Sequence, residues 1–309
     1  MTVIYSNDNS YSFAPCVATV GIFDGVHAGH RFLIEELKSL AHEHRLESTV
    51  ITFAEHPRKV LNSDFHAELL TTLPEKIKLI ESTGVNTCIV LDFNTDIAKL
   101  SACDFIRTIL FDKFKVQVLL VGHDHRFGHK RTDGFAEYKQ YGNSTGMEVI
   151  QALRYTTEAD AEINSSEIRK ALKDGDISKS NRLLSYAYTL TGKVVEGFKV
   201  GRTIGFPTAN IATNHPEKLI PQNGVYQVEV LVGEQLFAGM LNIGNRPTLN
   251  NGTSTSIEVH ILNFDKDIYN QPIEVAFLKK IRNEKKFNGI QELTAQLEAD
   301  KAFVLQMNK

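Results

Sequence analysis

Gly21-Ile22-Phe23-Asp24-Gly25-Val26-His27-Ala28-Gly29-His30 is the stretch that decides the fold. An apolar, β-like run from Val17 to Ile22 leads into it, and a helix-like run from Arg31 to His44 follows. Strand, glycine-rich turn, then helix is the geometry of a phosphate site. Gly25 and Gly29 let the backbone come close to a ligand. The first N–H groups of a helix have no partner inside it and favour anions. His27 and His30 are three residues apart, so both can face the same phosphates. They are expected near solvent, where they contribute little packing. The stretch has neither the GxGxxG dinucleotide pattern nor the Lys-Ser/Thr pair of a P-loop. A metal centre needs more ligands than Asp24 adds. Two histidines that merely cap the helix remain an open alternative.

Further apolar runs at Ser48–Phe53, Thr87–Leu91, Val116–Val121 and Met147–Leu153 read as strands, and residues 1–16 as an edge strand or a lead-in. Between them Pro74–Ser82 and Ser101–Phe111 read as helices, and Asp174–Tyr186 as a later one. Alternation at these lengths predicts an α/β, Rossmann-like parallel sheet covered on both sides. Ligands of such sheets sit outside the carboxyl ends of the strands. Three segments there carry candidate chemistry. His56 follows the second confident strand, where it equally well caps a helix. Gly122 to Arg131 combines His123, His125 and His129 with Arg126, Lys130, Arg131 and one carboxylate, Asp124, a set suited to an anion. Ser165 or Ser166 can cap a following helix, and Arg169 lies one turn in.

Helical periodicity stops near Tyr188, which predicts a boundary with residues 1–186 before it and 187–309 after it. Strands are expected at Leu190–Glu196, Gly224–Val232, Gln235–Ile243, Ser256–Asn263 and Ile273–Ile281. Short polar loops separate them, which favours a small antiparallel β-barrel. Asn288–Gln306 reads as a terminal amphipathic helix that covers the barrel or docks on the first domain. A second glycine-rich loop, Gly201-Arg202-Thr203-Ile204-Gly205-Phe206-Pro207-Thr208-Ala209-Asn210, lies in this half. The hydroxyl of Thr208 and the amide oxygen of Asn210 are hard donors suited to Mg²⁺. Asx and ST turns produce the same composition without chemistry. Glu258 sits in an alternating strand, where a solvent-facing carboxylate is common.

With 34 basic and 37 acidic residues the formal charge is −3, so no overall basic field attracts nucleic acid. Cys16, Cys88 and Cys103 lack metal or redox spacing and read as buried thiols in a reducing cytoplasm. No 18-residue apolar run predicts a membrane span, and the first residues do not read as a secretory signal. Monomeric behaviour or weak self-association is expected.

The opening stretch resembles the HxGH signature of the nucleotidyltransferase superfamily. In its longer form, FDGVHxGH, it is similar to that of bacterial bifunctional riboflavin kinase/FAD synthetases. The resemblance implies that His27 and His30 contact ATP phosphates during adenylyl transfer, with Gly21, Phe23, Asp24 and Gly25 lining the same nucleotide. Thr52-Phe53-Ala54-Glu55-His56-Pro57 resembles the family's TFxPHP element and brings in His56. Gly122–Gly134 resembles a loop over nucleotide and flavin, matching at Asp124, Phe127, Gly128, Arg131 and Gly134. Ser165, Ser166 and Arg169 resemble the SSTxIR element, whose Arg binds triphosphate. Ile22, Glu55 and His125 depart from the usual Asn, Pro and Phe.

Downstream, the second loop resembles the GRxxGFPTAN signature of riboflavin kinases. That likeness implies that Gly201, Arg202 and Gly205 cradle ATP, and that Thr208 and Asn210 engage its phosphates and Mg²⁺. Glu258 falls where these kinases carry their general base. Arg246 and Arg282 lie in elements implied to line the flavin and nucleotide sites. The implied substrates are ATP, riboflavin and FMN, with FAD as product. A kinase-only enzyme of this fold and a non-catalytic flavin- or nucleotide-binding regulator are the competing expectations.

Overall fold

The computed structural model describes residues 1–8, 11–62, 64–65, 68–123, 125–129, 132–155, 163–197, 200–247 and 253–307. Of Val200, Arg246, Pro247, Thr253, Ser254 and Met307 it describes the backbone alone. Asp124, Lys130 and Arg131 lie outside the described residues. The chain divides into two compact units, Met1–Ser165 and Ser166–Lys309.

The first unit is a six-stranded parallel sheet. In chain order its strands are β1 (Thr2–Tyr5), β2 (Cys16–Val20), β3 (Glu47–Phe53), β4 (Thr87–Leu91), β5 (Val116–Val121) and β6 (Glu148–Gln151). Their spatial order is β1-β4-β3-β2-β5-β6. Side chains alternate between two cores. Ala18, Val20, Ile51, Ile89 and Leu119 pack on one face, and Val17, Val50, Cys88, Val90 and Leu120 on the other. Both faces are therefore dry, as the near-continuous apolar strands require. From β2 the chain moves to β3 on one side and returns to β5 on the other. The carboxyl ends of β2 and β5 flank that reversal, which is where such sheets open a ligand crevice.

Several expectations shift here. The helix after β2 spans Ala28–His44 and so begins before Arg31, because His27 supplies its N-cap. Residues Phe105–Lys113 form a wide π-helix rather than an α-helix. Wider turns bring Phe105, Ile106, Leu110 and Phe114, all buried, toward one side. An α-helix would spread them over about half its circumference. Phe135–Thr145, a helix absent from the sequence reading, covers the sheet with buried Tyr138.

The second unit is a closed barrel of β7 (Thr189–Val195), β8 (Ala209–Ala212), β9 (Gly224–Val232), β10 (Gln235–Pro247), β11 (Thr253–Ile261) and β12 (Pro272–Arg282), in the order β10-β11-β8-β7-β12-β9. Five of these strands were anticipated. The sixth, β8, is only four residues long and hides inside the glycine-rich loop. The terminal helix Ile290–Met307 resolves its alternatives in favour of the barrel, packing Val304 and Leu297 against Phe206, Met240 and Leu262.

Two helices, Ser165–Lys173 and Ile177–Leu184, precede the barrel. The sequence reading draws its line at 186, whereas residues 166–186 group with the barrel as one compact unit. Asn181 explains the grouping. Its amide donates to Phe277 O (2.8 Å) in β12 and accepts from Tyr188 N (2.9 Å). The helix expected from Asp174 starts at Ile177 because Asp176 caps it, accepting from Lys179 N. No helix among the described residues is long and apolar enough to cross a membrane.

Candidate active sites

The histidine turn is built from strained backbone. Phe23 (φ 51°), Gly25 (φ 81°) and Val26 (φ 35°) all occupy the left-handed side of conformational space. For residues other than Gly this costs roughly 1–2 kcal/mol each, and it is least tolerated by a β-branched side chain. Such a turn persists only if its surroundings hold it. Asp24 does much of that. Its buried carboxylate accepts from Leu70 N (2.9 Å), Thr71 N (3.0 Å) and the Thr71 hydroxyl (3.2 Å). Gly25 N donates to the Thr71 hydroxyl oxygen (3.0 Å), and the Ser165 hydroxyl to Asp24 O (3.0 Å). Asp24, proposed from the sequence as a ligand contact, is thus engaged with backbone in this structure.

These clamps deliver the two histidines. His27 is buried, not near solvent as expected, and its Nδ1 accepts from His30 N (3.3 Å). An accepting Nδ1 leaves the proton of the neutral ring on Nε2. The two imidazoles stack at 3.6 Å. A Cβ on Gly29 would sit 3.4 Å from the His27 ring, so the missing side chain leaves that stack room. His30 Nδ1 is buried and hydrogen-bonds to no described residue. Burial, and after it the neighbouring His27, His125 and Lys76, hold His30 well below its ordinary pKa. It is neutral at pH 7, a hydrogen-bonding group rather than a fixed charge. The residue after β5 lies beside this first helix, since a Cβ on Gly122 would sit 3.9 Å from the Leu33 side chain.

Other predicted residues settle differently. His56 is an N-cap, its Nδ1 accepting from Arg58 N (3.2 Å). Phe127 stacks on Tyr138 at 4.2 Å, and its N–H donates to the Tyr138 hydroxyl (2.9 Å). Gly128 is pressed against Ala102, where a Cβ would meet backbone at 2.6 Å. Gly21 is buried at the end of β2, its N–H donating to Ile51 O (3.0 Å). Ser165 and Ser166 are the first residues of their helix, not its cap; Asn164 precedes them. Arg169 lies half-buried on the next turn.

In the barrel, the second loop folds through a one-turn helix, Val200–Thr203, with Arg202 exposed. Gly201 is required there. Phe206 N donates to its carbonyl (2.8 Å), and a Cβ would collide with Phe206 O. Gly205 turns the chain at φ 81°, and Pro207-Thr208 then enters β8. Register does the rest. Glu258 stands opposite Asn210 on one side and Asn242 on the other. Directly opposed residues share a face, so Asn242, Glu258 and Asn210 form one polar row across three strands. The Thr208 hydroxyl donates to Glu258 Oε2 (3.3 Å).

His260, two residues on and on the same face, donates from Nδ1 to Pro207 O (2.7 Å) and fixes the turn before Thr208. Burial pushes this histidine below its ordinary pKa, with the Pro207 carbonyl acting against it, so the ring is neutral with Nδ1 protonated. Arg282 is engaged elsewhere, in a forked ion pair with buried Asp300 (2.8 Å) that pins the terminal helix. The side chain of Arg246 is outside the description.

Comparison with known proteins divides the chain in the same sense. Residues 10–167 match the family model for FAD synthetase, and residues 184–308 that for riboflavin kinase. The bifunctional riboflavin kinase/FMN adenylyltransferase of Escherichia coli K12 is 37% identical over 286 residues, covering 92% of this chain and 90% of that protein. That of Bacillus subtilis 168 is 38% identical over 303 residues, covering 93% and 91%. The chain belongs to the bifunctional riboflavin kinase/FMN adenylyltransferase family. A crystal structure described as a macrolide-efflux protein from Streptococcus pneumoniae also matches, with TM-score 0.89, 29% identity and coverage of 98% and 99%.

The sequence reading assigned no role to His260, Thr71 or Lys76, and named Asn242 only within an element implied to line the flavin and nucleotide sites; the structure adds contacts for Thr71 and Lys76. A signal for the last two existed. Thr72-Leu73-Pro74-Glu75 is a capping box, realised here by Thr72 N to Glu75 (2.8 Å) and Glu75 N to Thr72 (3.4 Å). It fixes where the next residue, Lys76, projects. The alignment of Asn242 with Glu258, and the hold of His260 on Pro207, become visible only once the strands are paired.

Proposed function

We infer that this chain makes FMN and then FAD, with the kinase in residues 187–309 and the adenylyltransferase in residues 1–186. The Thr208 hydroxyl on the Glu258 carboxylate, in line with Asn210, supports the kinase reading most directly. Glu258 takes the proton of the ribityl 5′-hydroxyl as its oxygen attacks the γ-phosphorus of ATP and ADP leaves. Thr208 and Asn210 offer adjacent hard oxygens that fit Mg²⁺, which supplies charge neutralisation on the triphosphate. His260 holds Pro207, and so Thr208, in place.

In the other half, an FMN phosphate oxygen attacks the α-phosphorus of ATP and pyrophosphate departs. The nucleophile is already ionised, so alignment and charge stabilisation suffice. His27, His30 and the helix N–H groups supply these. Buried Cys16 and Cys88, their thiols pushed up to about 11 by burial, suit a reducing cytoplasm. The protein works there on small molecules, as a monomer or a weak self-associate.

Product analysis with riboflavin, ATP and Mg²⁺ tests the reading: FMN should form first and FAD second. Residues 166–309 alone should make FMN and no FAD. Residues 187–309 should do the same but melt roughly 10 °C lower, because the two Asn181 hydrogen bonds are worth about 2 kcal/mol together. A folded 166–309 fragment without FMN formation overturns the kinase assignment.

A further inference from the structure

Lys76 is a buried lysine at the heart of the first unit, only 7% exposed. Its ammonium donates to Phe53 O (2.9 Å) at the end of β3 and to Ile22 O (3.2 Å) just beyond β2. Ile22 O also accepts from the Thr52 hydroxyl (3.1 Å). Ile22 is the last residue before the left-handed run at Phe23, Gly25 and Val26. A strained turn needs a fixed entry, and this cation supplies it. We propose that Lys76 is a positioning residue for adenylyl transfer, tying the ends of β2 and β3 together so that His27 and His30 meet the reacting phosphates. The proposal rests on the adenylyltransferase reading of this unit.

A plain structural role does not account for the choice of residue. Two backbone carbonyls at a loop entry can be met by N–H groups or hydroxyls without burying a charge. Here the fold buries an ammonium, and burial pulls its pKa down to about 8 against the attraction of Asp24. Three groups face it: Asp24 from the turn, Cys88 from β4 and His30 from the first helix. Burial keeps the Cys88 thiol neutral up to about 11, and His30 is neutral well below pH 7. Between pH 7 and 9, then, Lys76 is the group in this cluster that changes charge. Losing its proton weakens charge-assisted bonds to both carbonyls.

The sign of the linkage separates this loss from unfolding. The folded pKa lies below the ordinary 10.5, so between about 8 and 10.5 the unfolded chain holds the proton that the folded chain lacks. Stability therefore rises with pH across that window as far as this group is concerned.

The test follows FAD formation from FMN and ATP against pH, with riboflavin phosphorylation measured alongside as a control for folding. Wild-type kcat/KM, which reports the free enzyme, should fall about tenfold per pH unit above roughly pH 8. Lys76→Met should lower kcat for FAD formation by about 10²-fold, the loss expected for a small displacement of reacting groups, with KM for ATP little changed. Its profile should lack the alkaline limb, and its kinase rate should match wild type. A Lys76→Met chain within threefold of wild type, or one that keeps the limb, overturns the proposal. Should that variant misfold, a flat wild-type profile through pH 8 to 9 overturns it instead. No FAD from the wild-type chain at any pH removes the adenylyltransferase reading, and this proposal with it.

Discussion

Glu258→Gln should slow FMN formation by roughly 10²–10⁴-fold, the range for losing a general base. The amide keeps the size of the carboxylate and can still accept from the Thr208 hydroxyl, now 3.3 Å from Oε2. What it loses is basicity toward the ribityl hydroxyl. Ile257 and Val259 on either side are buried and face the other way, so the strand itself should be undisturbed. FAD formation from supplied FMN should stay near the wild-type rate. The measurement is single-turnover conversion of riboflavin at saturating ATP and Mg²⁺. A Glu258→Gln chain that phosphorylates riboflavin normally would reduce Glu258 to an ordinary strand residue. In that case the polar row of Asn242, Glu258 and Asn210 would serve binding alone.

Much of the fold could be read in the residues because its local signals agree. Thr87–Leu91, Val116–Val121 and Gly224–Val232 occur where their apolar runs predicted them. The losses share a cause: tertiary contacts overrode a local pattern. β8 forms because Asn210 and Ala209 pair with Glu258 and Val259, not because four residues favour a strand. The π-turns of Phe105–Lys113 answer to the sheet beneath them. Asn181 attaches its helix to the barrel through one amide that no periodicity reveals.

The sites were legible in their residue types and not in their partners. Sequence offered Asp24 as a ligand, and the structure shows its carboxylate holding Leu70 and Thr71. It offered Arg282 as a lining residue, and Asp300 holds it. Both cases have one physical origin. A charged side chain near a glycine-rich turn either binds a ligand or satisfies the backbone that the turn leaves unpaired, and composition is the same in both cases. Distances separate them.

That ambiguity bears most on His27, whose ring caps the first helix and, on the proposed reading, also meets the reacting phosphates. Its Nδ1 caps the first helix while Nε2 carries the remaining proton. His27→Ala removes both functions at once. It should cut FAD synthesis from FMN by about 10²-fold or more, as for an electrostatic stabiliser of the transition state. The lost cap should also lower stability by roughly 1 kcal/mol. His27→Asn separates the two. Asparagine is a good N-cap, so stability should be retained, but it places no imidazole N–H toward the phosphates. Its FAD synthesis should remain as slow as that of the alanine variant. His30→Ala, which removes the buried Nδ1 and the stacked ring, should lose a similar factor. In all three variants riboflavin phosphorylation should continue, so FMN should accumulate in a coupled assay. Recovery of FAD synthesis in His27→Asn would assign the histidine to capping. The reacting phosphates would then have to be held by His30 and the helix N–H groups.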